Sequence, residues 1–523
     1  MEYTGLPIRG LHIDLKAHTL RPGAMTDIAR DAARWGYNTI LLEYQDKFPF
    51  DGRLSPIRSE DAMTKEEIGA FTALCREMGI RVIPLVQCLA HMHYVLRRPA
   101  FAGIGETNDA LCPSDPRSFE LFREMAAQVL ALHPDCEYIH IGGDEARLAA
   151  SCPRCGDTPK FELLRDHYAK CVAYIRSTGR RPILWCDMLL AHPETLDALR
   201  GKVVVMDWDY WTTARPGERA RVWGCDVDHP EDWSDLHKRL IRPYIYAVEP
   251  FVTRPFPYVR FLRDQGFEVL VASAARCGGD CHYVGQSKHV HNCRAAVRAA
   301  AESGALGVVV TSWSVRRVPW PLTENSLVAT AELFRNPGLS DAETDAAFAQ
   351  DSFGVADEAL GRMPGLLADA ANAADAVCAL TRMGLTFPGE DVGVPDGYDV
   401  RRGLSRTPWA GNAAIAPAYA ALGETAEACA RLLDRARPAD ARQAQRTAFW
   451  RWSLDTARLL AEYGPWLAEE RIPKACAEDL IGRFEALGRQ GSALLDPLYT
   501  AACTPDDYQS RIGIHLDHLR RFI

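Results

Sequence analysis

The chain has no surplus of positive charge: 60 Lys and Arg stand against 69 Asp and Glu, a net charge of −9. Phosphate-rich partners call for a basic face, so no nucleic acid and no anionic membrane surface is expected as a partner. No run reaches the roughly 18 apolar residues that a membrane span needs. The first residues, Met1-Glu2-Tyr3-Thr4-Gly5, hold neither a basic start nor an apolar signal core. Cysteine is too thinly spread for a disulfide scaffold. Sixteen cysteines in 523 residues read as reduced thiols of a cytoplasmic protein. Internal repeats and low-complexity tracts are missing as well.

What remains is ordinary globular material, 47% hydrophobic and 25% charged. At 523 residues one core would be oversized, which argues for two domains. The first two thirds alternate β-rich runs with amphipathic stretches. Expected strands are Ile8 to Leu15, Thr39 to Tyr44, Arg81 to Val86, Tyr138 to Gly142, Pro182 to Cys186, Val203 to Trp208, Glu268 to Ser273 and Gly307 to Trp313. Their Val/Ile/Leu content suits parallel strands buried on both faces. Helical patterns fall between them at Ala24 to Trp35, Lys65 to Met78, Ser118 to Leu132 and Phe161 to Ser177. Thr64-Lys65-Glu66-Glu67 reads as a capping box and Asp115-Pro116 as a cap followed by a first-turn proline. Eight such units predict a (β/α)8 TIM barrel of the α/β class over residues 1–335.

The longest irregular stretch of the barrel half, Trp211 to Pro257, is expected as a loop elaborating the barrel mouth. From Asn336-Pro337-Gly338 the pattern turns to Ala- and Leu-rich helical periodicity, with long runs at Asp357 to Met383 and Ala441 to Tyr463. Residues 336–523 are therefore expected to form an all-α C-terminal helical domain. Its Trp450, Trp452 and Trp466 fit its core, and its surface is where a homodimer could form.

The run Tyr138-Ile139-His140-Ile141-Gly142-Gly143-Asp144-Glu145 carries the chemistry. A buried strand runs into two glycines and then two adjacent acids. Asp-Glu alone is commonly solvated charge or the first turn of a helix. Two glycines directly after a strand permit a sharp turn or a close ligand approach. In a confined site, neighbouring carboxylates push one pKa up. A protonated acid beside an ionised one is what glycosidic cleavage needs. Other polar and aromatic groups gather at the expected strand ends: His91 and His93 after the third, Trp185-Cys186-Asp187 at the fifth, Trp208 and Tyr210 at the sixth, Trp313 at the eighth. Flat indole faces suit the apolar face of a pyranose, though tryptophan at a strand end is also common as packing.

The His140-x-Gly-Gly-Asp144-Glu145 run resembles the catalytic signature of the family-20 glycoside hydrolases, the β-N-acetylhexosaminidases. The resemblance is closer to their hexosaminidase D branch. Arg9-Gly-Leu-His-Ile-Asp-Leu-Lys16, Leu42-Glu-Tyr-Gln-Asp-Lys-Phe-Pro49, Val82-Ile-Pro-Leu-Val-Gln87 with His91-Met92, Ile183-Leu-Trp-Cys-Asp-Met188 and Val310-Thr-Ser-Trp313 extend it in order along residues 6–335. The resemblance implies a retaining, substrate-assisted reaction on small glycosides with a terminal GlcNAc or GalNAc. The substrate's own acetamido oxygen would attack the anomeric carbon to give an oxazolinium. Asp144 would orient the acetamido N–H, and Glu145 would act as general acid and then base. Arg9 would bind hydroxyls at the pocket base, with Trp185, Trp208 and Trp313 walling the ring. Tyr210 would bond the acetamido oxygen and Glu324 the distal hydroxyls. His91 and His140 match family histidines that contact substrate or hold a loop. Cys186 departs from the pattern, which has an aspartate there.

No metal or organic cofactor is needed for that chemistry. Cys152-Pro153-Arg154-Cys155 has ligand spacing, and Cys277, Cys281 and His282 lie further on, but a lone CxxC favours reduced thiols. Two other readings stay open: a metal-dependent barrel hydrolase using His12, His91 and His93, and a sugar-binding protein without catalysis.

Overall fold

Eight runs of Val, Ile and Leu close into a parallel barrel in the computed structural model. It describes residues 5–16, 19–213, 220–248, 252–278, 280, 283–314, 318–378, 411–500 and 515–523. The barrel strands are β1 (Ile8–Asp14), β2 (Thr39–Glu43), β3 (Arg81–Leu85), β4 (Tyr138–His140), β5 (Arg181–Trp185), β6 (Val204–Trp208), β7 (Glu268–Arg276) and β8 (Gly307–Ser312). Each neighbours the next in sequence, and β8 returns to β1. The register runs Gly10↔Thr39 to Asp14↔Glu43 between β1 and β2, and the seam closes with Ile8↔Gly307 to Leu11↔Val310. A closed parallel sheet inside a ring of helices buries both faces of every strand. That is why β2 and β6 are buried at every position.

The local signals act as the sequence indicates. Thr64 Oγ1 accepts the Glu67 N–H at 3.1 Å while Glu67 Oε2 accepts the Thr64 N–H at 2.7 Å, opening helix Lys65–Glu77. Asp115 caps helix Pro116–Leu132 through the Arg117 N–H, with Pro116 in the first turn. Strand β4 is shorter than expected. Pairing nevertheless continues past His140, because the Ile141 N–H reaches the Ile183 carbonyl at 2.8 Å and the Trp185 N–H reaches Gly142 O at 3.1 Å. The expected loop from Trp211 to Pro257 holds short helices at Asp235–Leu240 and Arg242–Ile245 and a two-stranded ribbon, Tyr246–Val248 with Val252–Thr253. Its Trp223 packs 4.6 Å from Trp208 of the barrel rim.

The chain divides into two compact units. The first comprises residues 1–16, 25–274 and 291–312, and the second 17–24, 275–290 and 313–523. Helix Glu324–Arg335 closes the eighth βα unit in order but groups with the second unit in packing. That unit is helical, with Asp341–Phe353, Glu358–Cys378, Ile415–Leu433, Ala441–Tyr463 and Lys474–Leu495 as its main elements. Trp450 and Trp452 are buried in it and Trp466 is half-buried. Residues 379–383 of the expected helix, like Cys281 and His282, lie outside the described residues.

Candidate active site

The turn after β4 is built for small residues. Gly142 and Gly143 sit at φ +64° and +85°. A Cβ on Gly142 would fall 1.8 Å from Gln87 Oε1, and one on Gly143 2.6 Å from Leu184 Cδ1. Any other residue would meet both a left-handed backbone penalty and a steric clash. The turn is held from beneath: Gly143 O accepts the Tyr168 hydroxyl at 2.9 Å and the Gly142 N–H donates to His140 Nδ1 at 3.0 Å. Glu145 is itself left-handed at φ +50°, and so are His91 at +56° and Gln45 at +49°. Three non-glycine residues after β2, β3 and β4 thus hold strained backbone at one end of the barrel. Such strain persists where the surroundings over-determine it.

The two acids point different polar atoms in different directions. Asp144 is 7% exposed and its Oδ2 lies 3.2 Å from His91 Nε2. Asp144 Oδ1 is buried and has no hydrogen-bond partner among the described residues. Buried carboxylate oxygens are almost always bonded, so this one marks a place where a donor is missing. Glu145 is more open: its Oε1 accepts from Arg147 at 3.1 Å, and Oε2 is 3.7 Å from His91. Burial pulls the His91 pKa down, but the Asp144 carboxylate outweighs it and the imidazole ends near 10. His91 is therefore a cation at neutral pH, set between the two acids. Asp109 fixes it, accepting the His91 N–H at 3.3 Å and facing His93 at 3.7 Å. Burial raises the Asp109 pKa, but the His93 bond and the two imidazoles win and leave it near 2.

A third acid, Asp187 at the end of β5, belongs to the same constellation. Its Oδ2 accepts the Glu145 N–H at 2.8 Å and its Oδ1 the Trp208 indole N–H at 3.2 Å. Burial first, and then the charge of Asp144, push its pKa up to about 7. Its signal in the sequence was position alone, two residues after Trp185. At the end of β6, burial and the neighbouring Asp209 also raise Asp207 to about 7, with the Cys186 thiol 3.4 Å away.

The structure links His140, Trp185, Trp208 and Tyr210 to the acid pair. His140 is fully buried, its ring tilted against Trp185 at 4.4 Å, and burial lowers its pKa to about 3. It is a neutral ring that holds the glycine turn. Trp185 is only 1% exposed, beneath the turn rather than open as a wall. Trp208 reaches the acids through Asp187, and the Tyr210 ring packs tilted against Trp208 at 5.1 Å. Trp313 is half-buried in the second unit, its N–H bonded to Arg276 O at 3.3 Å.

Arg9 corrects an expectation. It is the second residue of β1, at the strand's N-terminal end, and it donates to Gly36 O at 3.0 Å and Leu6 O at 3.1 Å. Strand ends that converge on a barrel site are the C-terminal ones, so Arg9 serves the opposite face. Glu324 corrects a second. Both its oxygens engage the Arg446 guanidinium, one at 2.8 Å, and both residues are buried inside the second unit. A carboxylate committed to a bidentate pair is not held out for a ligand.

Residues 53–226 match the model of the glycosyl hydrolase family 20 catalytic domain. The chain is similar over that stretch to the family-20 catalytic domain. The matched stretch holds Asp144, Glu145, His91, His140, Trp185, Trp208 and Tyr210, and leaves out Arg9, Trp313 and Glu324. Hexosaminidase D of Homo sapiens is 31% identical to this chain over 225 residues, covering 40% of the chain and 46% of the relative. Hexosaminidase D of Bos taurus is 30% identical over 223 residues, covering 39% and 63%. The match thus spans about half of the human relative and under two thirds of the bovine one. Among solved structures, a β-N-acetylhexosaminidase from Bacteroides fragilis aligns with TM-score 0.45 at 14% identity, over 64% of this chain and 68% of its own.

Proposed function

We propose that the protein is an exo-acting, retaining β-N-acetylhexosaminidase that releases terminal GlcNAc or GalNAc from small glycosides by substrate-assisted catalysis. The observation that carries this reading is the unpartnered, buried Oδ1 of Asp144 beside the half-open carboxylate of Glu145. A 2-acetamido group offers the missing donor, its N–H. Accepting that N–H turns the acetamido carbonyl oxygen toward the anomeric carbon and stabilises the positive charge that grows on nitrogen as the ring closes. His91, cationic at 3.2 Å from Oδ2, holds the Asp144 carboxylate in place for that role. Glu145 gives its proton to the departing glycosidic oxygen, then removes one from the water that opens the oxazolinium.

Asp187 positions this pair by fixing the Glu145 backbone and the Trp208 indole together. Trp208 and Tyr210 supply apolar surface for the pyranose. No step requires a metal. Reduced, buried thiols such as Cys88, Cys171, Cys186 and Cys293 support the cytoplasm as its compartment, and among the described residues no helix is long and apolar enough to cross a membrane.

A panel of 4-nitrophenyl β-glycosides tests the reading. The 2-acetamido gluco- and galacto-configured members should turn over, and the 2-hydroxy members should be slower by at least about 10²-fold, because they lack the internal nucleophile. Equal rates on the two sets would contradict it.

A further inference from the structure

The CxxC at Cys152 and Cys155 is completed by residues some forty positions earlier in the chain. Cys112 Sγ lies 3.6 Å from Cys152 Sγ and 3.7 Å from Cys155 Sγ, and the remaining pair is 3.8 Å apart. Glu106 closes the group, its Oε1 2.9 Å from Cys155 Sγ. All four donor atoms fall within 4.8 Å of one another. Disulfide sulfurs sit about 2.05 Å apart, so these thiols are not poised as any one bridged pair. A tetrahedral ion with zinc–sulfur bonds of about 2.3 Å has sulfur–sulfur edges of about 3.8 Å. The three observed edges match that triangle.

We infer that Glu106, Cys112, Cys152 and Cys155 form a structural zinc site of the Cys3Glu type. Binding would release the thiol protons to solvent and leave three thiolates and one carboxylate on the ion, with no change of oxidation state. The surroundings are those of a supported ligand set. Ser114 Oγ donates to Cys155 Sγ at 3.3 Å, and the Ser151 N–H holds Glu106 Oε2 at 2.9 Å. The Cys155 N–H closes the CxxC turn on Cys152 O at 2.9 Å, and Arg154 is tied to Asp115 at 2.6 Å. Cys112 and Cys155 are buried, which excludes competing water from two of the four bonds.

Another thiol group, Cys88 with His167 and Cys171, differs in kind. His167 Nε2 is already engaged at 2.8 Å by the Cys88 carbonyl, so its ring nitrogen is not free to ligate.

The site joins two loops of the barrel. Glu106 and Cys112 flank Asp109, which holds His91, while Cys152 and Cys155 follow Glu145 in the loop after β4. The ion would staple the loop carrying the cation to the loop carrying the acid. The assignment rests on the ligand geometry and is independent of what the acid pair hydrolyses.

Metal analysis of the full chain, purified without chelator, then loaded with zinc and desalted, tests it. About one zinc per chain should be retained, with under about a tenth retained in Cys112→Ser and Cys155→Ser. Cys136→Ser, a buried thiol outside the group, should retain all of it. Cobalt exchanged into the wild-type protein gives a second readout that does not depend on the variants folding. It should show the intense visible bands and thiolate charge-transfer absorption of a tetrahedral sulfur site. Wild-type protein that holds no zinc and gives only the octahedral cobalt spectrum would overturn the assignment, as would full zinc content in Cys112→Ser.

Discussion

The two ends of one barrel treat charge in opposite ways. At the N-terminal end, Arg181 meets Glu137, Glu268 and the Tyr138 hydroxyl, Arg76 meets Asp135, and Arg81 meets Glu137, mostly in the open. A groove of about 650 Å³ lies there among Thr72, Arg76, Arg81, Leu132 and Glu137, but its charges are compensated and solvated, and exposed pairs of that kind are worth little. At the C-terminal end, Asp144, Asp187 and Asp207 are all buried, two of them with pKa values driven to about 7. The backbone there is strained at Glu145 and His91. Space alone does not make a site. Buried acids and strained backbone, maintained at a cost in stability, separate the face proposed for chemistry from the face that holds the barrel together.

The largest test of that contrast removes the acid. Glu145→Gln should lower turnover of unactivated substrates by about 10²–10⁴-fold while leaving product affinity measured by calorimetry nearly unchanged, and Asp144→Asn should cost about 10²–10³-fold. Near wild-type rates in either variant would put the chemistry elsewhere. In the second unit, Glu324→Gln should destabilise the protein by about 3–5 kcal/mol, because it removes one charge of a buried ion pair; chemical denaturation reads this directly. A loss below about 0.5 kcal/mol would show the pair to be superficial.

Stability against pH sharpens the contrast further. His91 carries a folded pKa of about 10, above the ordinary 6.5, so its stabilisation is complete below pH 6.5 and is lost as pH rises toward 10. Asp187 is raised from 3.8 to about 7, so its ionisation opposes folding and stability falls as pH rises through that lower window. Melting temperatures should therefore decline in two steps. His91→Gln should shrink the upper step, to which His289 also contributes, and Asp187→Asn the lower, to which Asp207 contributes. The smallest effect belongs to the other face: Arg9→Gln should cost about 1 kcal/mol, the worth of its bonds to two carbonyls, and leave KM within about twofold. A large rise in KM would return Arg9 to the substrate.

Much of this was legible in the sequence, for a physical reason. Buried parallel strands must be Val- and Ile-rich along their whole length, so all eight announce themselves, and Gly142-Gly143 directly after one of them reads as a sharp turn. The Thr64 capping box and the Asp115 cap are local contacts between near neighbours, so spacing determines them. Arg9 and Glu324 were misplaced because a side chain's direction and its distant partner are not local. Gly36 and Arg446 lie 27 and 122 residues away from them. Asp187 went unassigned for the same reason, since its importance comes from the Glu145 N–H 42 residues earlier. The third thiol beside Cys152 and Cys155 was hidden likewise, 40 residues upstream.

The most direct measurement is inhibition by a thiazoline mimic of the bicyclic intermediate, compared between the wild-type protein and Asp144→Asn. The account predicts tight competitive binding to the wild type, at least about 10²-fold tighter than the simple N-acetylhexosamine product, as befits an analogue of a high-energy species, and loss of most of that advantage when Asp144 can no longer carry charge opposite the ring nitrogen. A mimic that binds no better than the product, or equally well to both proteins, would contradict it.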